Sequence, residues 1–117
     1  MYKQQDIQYY PKDKLQLERD VAGSRMWAVA LEKSMLTYFE VEPNSRFDMH
    51  KHESEQITFV LEGVLYFEMQ DNTIGVNEGE VIAIPSNIEH AVYTRNESVR
   101  AVDVWSPVRK DYQNGKS

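Results

Sequence analysis

Along this chain, apolar and polar residues alternate in short runs, and turn residues close off the runs about every eight to twelve positions. The pattern predicts strands over 15–18, 27–31, 35–41, 57–61, 64–69, 73–76, 80–84, 91–94 and 98–105, with 46–50 leading into the central stretch that follows. Turns are expected at Ala22-Gly23-Ser24, Glu42-Pro43-Asn44-Ser45, Asp71-Asn72, Asn77-Glu78-Gly79 and Pro85-Ser86-Asn87. The runs 57–61 and 64–69 lie so close together that they read as a hairpin. No window sustains a helical period. The pattern therefore predicts an all-β, antiparallel sandwich or barrel.

A length of 117 residues makes one domain with a real core. There is no cysteine, so disulfides and thiolate metal sites are excluded. The first residues carry no apolar leader and no run is long enough to span a bilayer, so no membrane partner and a cytoplasmic location are expected. The formal net charge of -6 argues against nucleic acid. A small anionic ligand stays possible if one arginine overrides the mean field, and Arg109 is the candidate.

The chemistry concentrates between Met49 and Gly63. His50 and His52 are two of the three histidines in the chain, and on an extended strand both would leave one face. Gln56 keeps the same parity, while Glu53 and Glu55 read as solvated turn residues. Two imidazoles and an amide oxygen make most of a metal site, which His90 could close. Such ligands accept one divalent ion, with nickel, zinc, manganese and iron all admissible.

These residues resemble the two motifs of the cupin superfamily. His50-x-His52, Gln56 and Gly63 match the first; Gly79, Pro85-x-Asn87 and His90 match the second. The resemblance implies a single-domain, cupin-type double-stranded β-helix (a jelly-roll barrel) with a metal held by His50, His52, Gln56 and His90. The barrel is expected over 15–109, after an N-terminal arm over 1–14 that pairs with a sheet edge or a partner subunit. A polar tail over 110–117 follows. Two positions depart from the family pattern, which has Glu where this chain has Gln56 and Gly where it has Asn87. Asparagine tolerates positive φ, so the turn is expected to survive. A neutral amide leaves the full charge on the ion, which strengthens its pull on a substrate oxygen and argues against redox iron.

On the last strand Val99, Ala101, Asp103 and Trp105 share a face. If that face lines the barrel, Asp103 is a carboxylate in an apolar cavity, raised by burial and lowered by the cation. Arg109 could fold back over the mouth. The run from Asp103 to Tyr112 resembles the ending of the KdgF-like cupins of pectin and uronate metabolism, with Trp105 where that group usually has Phe. That resemblance implies Asp103, Trp105 and Arg109 as catalytic or substrate-binding residues. It also implies a metal-dependent enzyme that converts 4,5-unsaturated monouronates to linear ketonised sugar acids. The alternatives are a metal-dependent dioxygenase on the same scaffold and a non-catalytic cupin that binds a sugar acid. A homodimer is expected on general grounds.

Overall fold

The structure is a computed structural model that describes residues 6–21 and 23–113. Its strands are β1 (Glu18–Arg19), β2 (Ser24–Ala30), β3 (Met35–Val41), β4 (Arg46–His50), β5 (Glu55–Glu62), β6 (Leu65–Glu68), β7 (Thr73–Val76), β8 (Val81–Ile84), β9 (His90–Tyr93) and β10 (Val99–Ser106). They form a six-stranded sheet, ordered β1-β2-β3-β10-β5-β8, and a four-stranded sheet, ordered β4-β9-β6-β7. Every pairing is antiparallel, which makes the jelly-roll barrel.

The period-2 pattern does what it predicts. Along β10 the burial alternates so that Val99, Ala101, Asp103 and Trp105 face inward. Phe67, Val60, Val99 and Ala101 are almost fully buried and fill one end of the barrel from both sheets. Met26, Phe39 and Val41 form a second cluster towards the other end, where Phe47 and Tyr112 pack on them.

Three expectations are corrected. Residues 57–61 and 64–69 are not a hairpin: β5 pairs with β10 and β8, while β6 pairs with β7 and β9. The chain changes sheets at Gly63, whose φ of 85° turns the backbone away from its own sheet. The apolar content of both runs reflects burial between sheets, which a hairpin signal cannot separate from pairing within one. Second, the strand expected over 15–18 shrinks to Glu18–Arg19, because Leu15 N–H closes a 3-10 turn over Lys12–Lys14. Third, the tail begins with one helical turn, α1 (Lys110–Gln113), whose Tyr112 packs edge-on against Phe39 and Trp105. One aromatic in one turn leaves no period to read. The parts of the expected arm over 1–5 and tail over 114–117 lie outside the described residues, as does Ala22 of the expected 22–24 turn. No helix among the described residues is long and apolar enough to cross a membrane.

A Cβ on Gly63 would meet the Ser98 carbonyl oxygen at 2.5 Å, whereas one on Gly79, at φ 84°, would meet nothing within 4 Å. Gly79→Ala should therefore cost about 1 kcal/mol from the left-handed backbone alone. Gly63→Ala should cost more than about 2 kcal/mol, because clash adds to strain. Urea denaturation of the two variants measures the difference; equal losses would contradict this account of the sheet switch.

Candidate metal centre and active site

The three histidines meet at one end of the barrel. His50 ends β4 and stands opposite His90 at the start of β9, with ring centroids 4.5 Å apart. His52 does not continue the strand. It sits in the connection to β5, and that bend brings its ring to 5.5 Å from His50 and 5.1 Å from His90. The expected neighbourhood is right, although same-strand parity is not what produces it. The second motif fixes the bend: Asn87, at φ 62°, donates its N–H to the His52 carbonyl at 2.8 Å. Asparagine thus takes the left-handed turn that the sequence expects of it.

Each imidazole is oriented by its own backbone. Nδ1 of His50, His52 and His90 lies 2.7, 2.8 and 2.8 Å from the carbonyls of Asp48, Ser54 and Ile88. A carbonyl can only accept, so Nδ1 carries the proton and the Nε2 lone pair is left free. One ring nitrogen from each histidine lies within 4.8 Å of the others. Burial pushes His52 and His90 below the usual imidazole range, with Arg109 and the neighbouring imidazoles adding to it. The shift favours the neutral rings that ligation requires.

Gln56 occupies the fourth side. Its amide nitrogen donates to Thr58 Oγ1 at 2.9 Å and reaches towards Asp103 Oδ1 at 3.5 Å, which leaves Oε1 as the inward atom. His52 Nε2, His90 Nε2 and Gln56 Oε1 are buried without a hydrogen-bond partner. Buried polar atoms are ordinarily paired, and three unpaired lone-pair donors gathered at one place fit a divalent cation.

Beside this cluster is a cavity of about 610 Å³, lined in part by His50, Gln56, His90, Asp103, Trp105 and Arg109. Asp103 is buried on the central strand β10, in register with Thr37 of β3 and Thr58 of β5. Thr37 donates to its Oδ2 at 3.0 Å, and Thr58 donates a short bond to Oδ1. Burial lifts its pKa to about 6, against the lowering effect of Thr58, Thr37, Gln56 and Arg109. Trp105 is also buried, and its indole N–H donates to Thr37 Oγ1 at 2.8 Å. Its ring meets His52 edge-on at 5.3 Å.

Arg109 lines the same cavity. Its guanidinium stacks on Tyr112 at 4.3 Å and Trp105 at 5.0 Å from the ring centroids, and it pairs with Asp111 at 2.9 Å. The rim also holds Asp20, whose carboxyl is raised by burial and by the Asp111 charge. Ser54 ties the histidine loop to this segment, because its hydroxyl donates to the Pro107 carbonyl.

Sequence reasoning had no role for Thr37, Thr58, Ser54, Asp20 or Tyr112. Thr58 was within reach, since it shares the parity of Gln56 on one strand. Thr37 was not, because its position beside Asp103 depends on long-range strand pairing.

Known proteins agree with this geometry. The cupin domain model matches residues 37–105. Among solved structures, KdgF from Halomonas sp. superposes with a TM-score of 0.80 at 20% identity, covering 89% of this chain and 98% of that one. The polyketide cyclase RemF from Streptomyces resistomycificus superposes with a TM-score of 0.76 at 26% identity, covering 89% and 82%. By sequence, the acireductone dioxygenase of Phaeosphaeria nodorum is 31% identical over 91 residues, 74% of this chain and 51% of that protein. The chain spans about half the length of most of the curated relatives it matches. A fold of two antiparallel sheets, both histidine motifs and a domain match over more than half its length place this chain in the cupin family.

Proposed function

We propose that this protein is a metal-dependent enzyme that opens and ketonises 4,5-unsaturated monouronates, giving linear keto sugar acids. The observation that carries the reading is the position of Asp103. It is a buried carboxylate lining the same cavity as the inward-facing donors of His50, His90 and Gln56, with a guanidinium at the rim. KdgF from Halomonas sp. shares the fold and supports the comparison at that level.

His50, His52, His90 and Gln56 would hold the cation, which when bound supplies Lewis acidity to a substrate oxygen. The remaining work falls to the protein. Arg109 presents its fork at the mouth, where a substrate carboxylate can take hydrogen bonds alongside Asp111. Asp103 moves the protons. Ring opening breaks the bond between C1 and the ring oxygen as the C1 hydroxyl gives up its proton and becomes an aldehyde. The ring oxygen gains a proton to become an enol on C5. That hydroxyl proton is then lost and C4 is protonated, which leaves a ketone at C5. The sequence is an isomerisation and needs no oxidant. Trp105 holds Thr37, His52 and Arg109 in place more than it offers a face to the sugar, since its N–H and both aromatic contacts are already engaged.

A second reading, a metal-dependent dioxygenase on the cupin scaffold, is favoured by one observation: curated sequence relatives include acireductone dioxygenases. Saturable binding of a sugar acid without turnover would instead identify a binding protein.

The first measurement tests the metal site that both enzymatic readings share, and the second separates them. Calorimetric titration with Ni²⁺ or Zn²⁺ should give one site per chain. His90→Ala should weaken it by more than the roughly 10–100-fold typical of changes to groups that only support a ligand. Unchanged affinity would remove the metal assignment. In an assay of 4,5-unsaturated monouronate, loss of alkene absorbance should exceed the spontaneous rate and vanish with chelator. Asp103→Asn should lower the enzymatic rate about 100-fold or more while ligand binding survives. No acceleration by metal-loaded protein, together with substrate-dependent oxygen uptake, would select the oxygenase.

A further inference from the structure

Tyr112 is held by its ring, while its hydroxyl proton is left without a partner. The ring meets Phe39 and Trp105 edge-on, each at 5.6 Å, and the Arg109 guanidinium lies 4.3 Å from its centroid. These contacts from β3, β10 and the segment before α1 fix the ring. None of them uses the hydroxyl, so phenylalanine would pack as well. The phenol oxygen makes one hydrogen bond, which it accepts from Arg109 Nη1 at 3.4 Å. A guanidinium cannot accept, so the phenol proton is still free to be donated. No acceptor takes it among the described residues.

The hydroxyl belongs to the cavity that holds Asp103. Tyr112 lines that cavity with Arg109 and Gln56, and the charges of Arg109, Asp20, Asp103 and Asp111 all act on its oxygen. Burial, helped by the three carboxylates, outweighs Arg109 and pushes the phenol above its ordinary range. At neutral pH it is therefore a donor. Phe39, Phe47 and Phe67 also line the cavity and carry no polar group, and Trp105 gives its N–H to Thr37. Among the described residues, Tyr112 is thus the one aromatic lining the cavity with a proton to offer.

The chemistry of the donors names the ligand group. Of the five N–H groups of Arg109, one goes to Asp111 and one to Tyr112, so Asp111 already offsets part of its charge. The phenol proton is polarised by the cation bonded to its oxygen, and Asp111 does not take it. Together with the remaining guanidinium N–H groups it makes a donor set that suits an oxyanion. We propose that the Tyr112 hydroxyl is a substrate-binding group that holds the substrate carboxylate jointly with Arg109. The assignment rests on the sugar-acid reading of this cavity and adds to it a residue that selects the acid over its neutral ester.

Titration calorimetry of the metal-loaded full chain with galacturonate tests the contact without turnover, because this saturated uronate has no alkene to ketonise. Tyr112→Phe should weaken galacturonate about tenfold or more, the effect of losing one charge-assisted hydrogen bond. Its thermal midpoint should be unchanged, since the ring contacts survive. The preference for galacturonate over its methyl ester should shrink several-fold. Tyr112→Leu, which gives up the ring contacts as well, should lose the same affinity and melt earlier. With the 4,5-unsaturated monouronate, Tyr112→Phe should raise KM more than it lowers kcat. Equal galacturonate affinity in wild type and Tyr112→Phe would overturn the contact, as would a wild type that does not bind galacturonate. Weakened binding in Tyr112→Phe, beside a wild type that turns over no unsaturated uronate, would support the contact and strike the ketonisation alone.

Discussion

Two threonine hydroxyls, one from each strand flanking β10, hold the carboxylate of Asp103 inside the barrel. Much of the site follows from that contact. Isolated in an apolar cavity, a carboxylate would cost several kcal/mol and force the strand to rearrange. With Thr37 and Thr58 as donors it is satisfied in place. Thr58 also accepts from the Gln56 amide nitrogen, which turns Oε1 towards the histidines. Thr37 accepts from Trp105, whose ring then borders His52 and carries Arg109. The Asp103 carboxylate thus sits at the middle of one hydrogen-bonded row across three strands that reaches the histidine cluster through Gln56.

The fold was largely legible because alternation is a local signal. Strands 35–41 and 73–76 match the structure, and the inward face of β10 follows from parity alone. The hairpin expected at Gly63 failed for a physical reason. Turn chemistry says that a chain reverses, not whether it returns to its own sheet, and in a jelly roll it often crosses. His50, His52, Gln56 and His90 were recognisable from spacing, and the structure brings them together. What spacing could not provide was the support around them. Thr37 is 66 residues from Asp103 in sequence, and no local pattern marks such a pair. Tyr112 lies in a segment too short and too polar to announce a helical turn.

Gln56 bears on both functional readings. As a fourth ligand, its neutral amide would leave more charge on the ion than a carboxylate would, which suits polarisation of a substrate oxygen. The similarity to acireductone dioxygenases covers a core that cupins of many activities share, and a fold hosts more than one chemistry. Asp103, lining the same cavity as His50 and His90, is a group for which isomerisation by proton transfer has an immediate use. Asp111 pairs with Arg109 beside this cavity.

On the proposed mechanism Asp103 delivers a proton to one face of C4. Turnover of a 4,5-unsaturated monouronate by metal-loaded protein in D₂O, followed by NMR, tests it directly. The account predicts one deuterium at C4 in a single orientation, with both orientations appearing at the slow residual rate of Asp103→Asn. Equal labelling of both positions during fast wild-type turnover would contradict it.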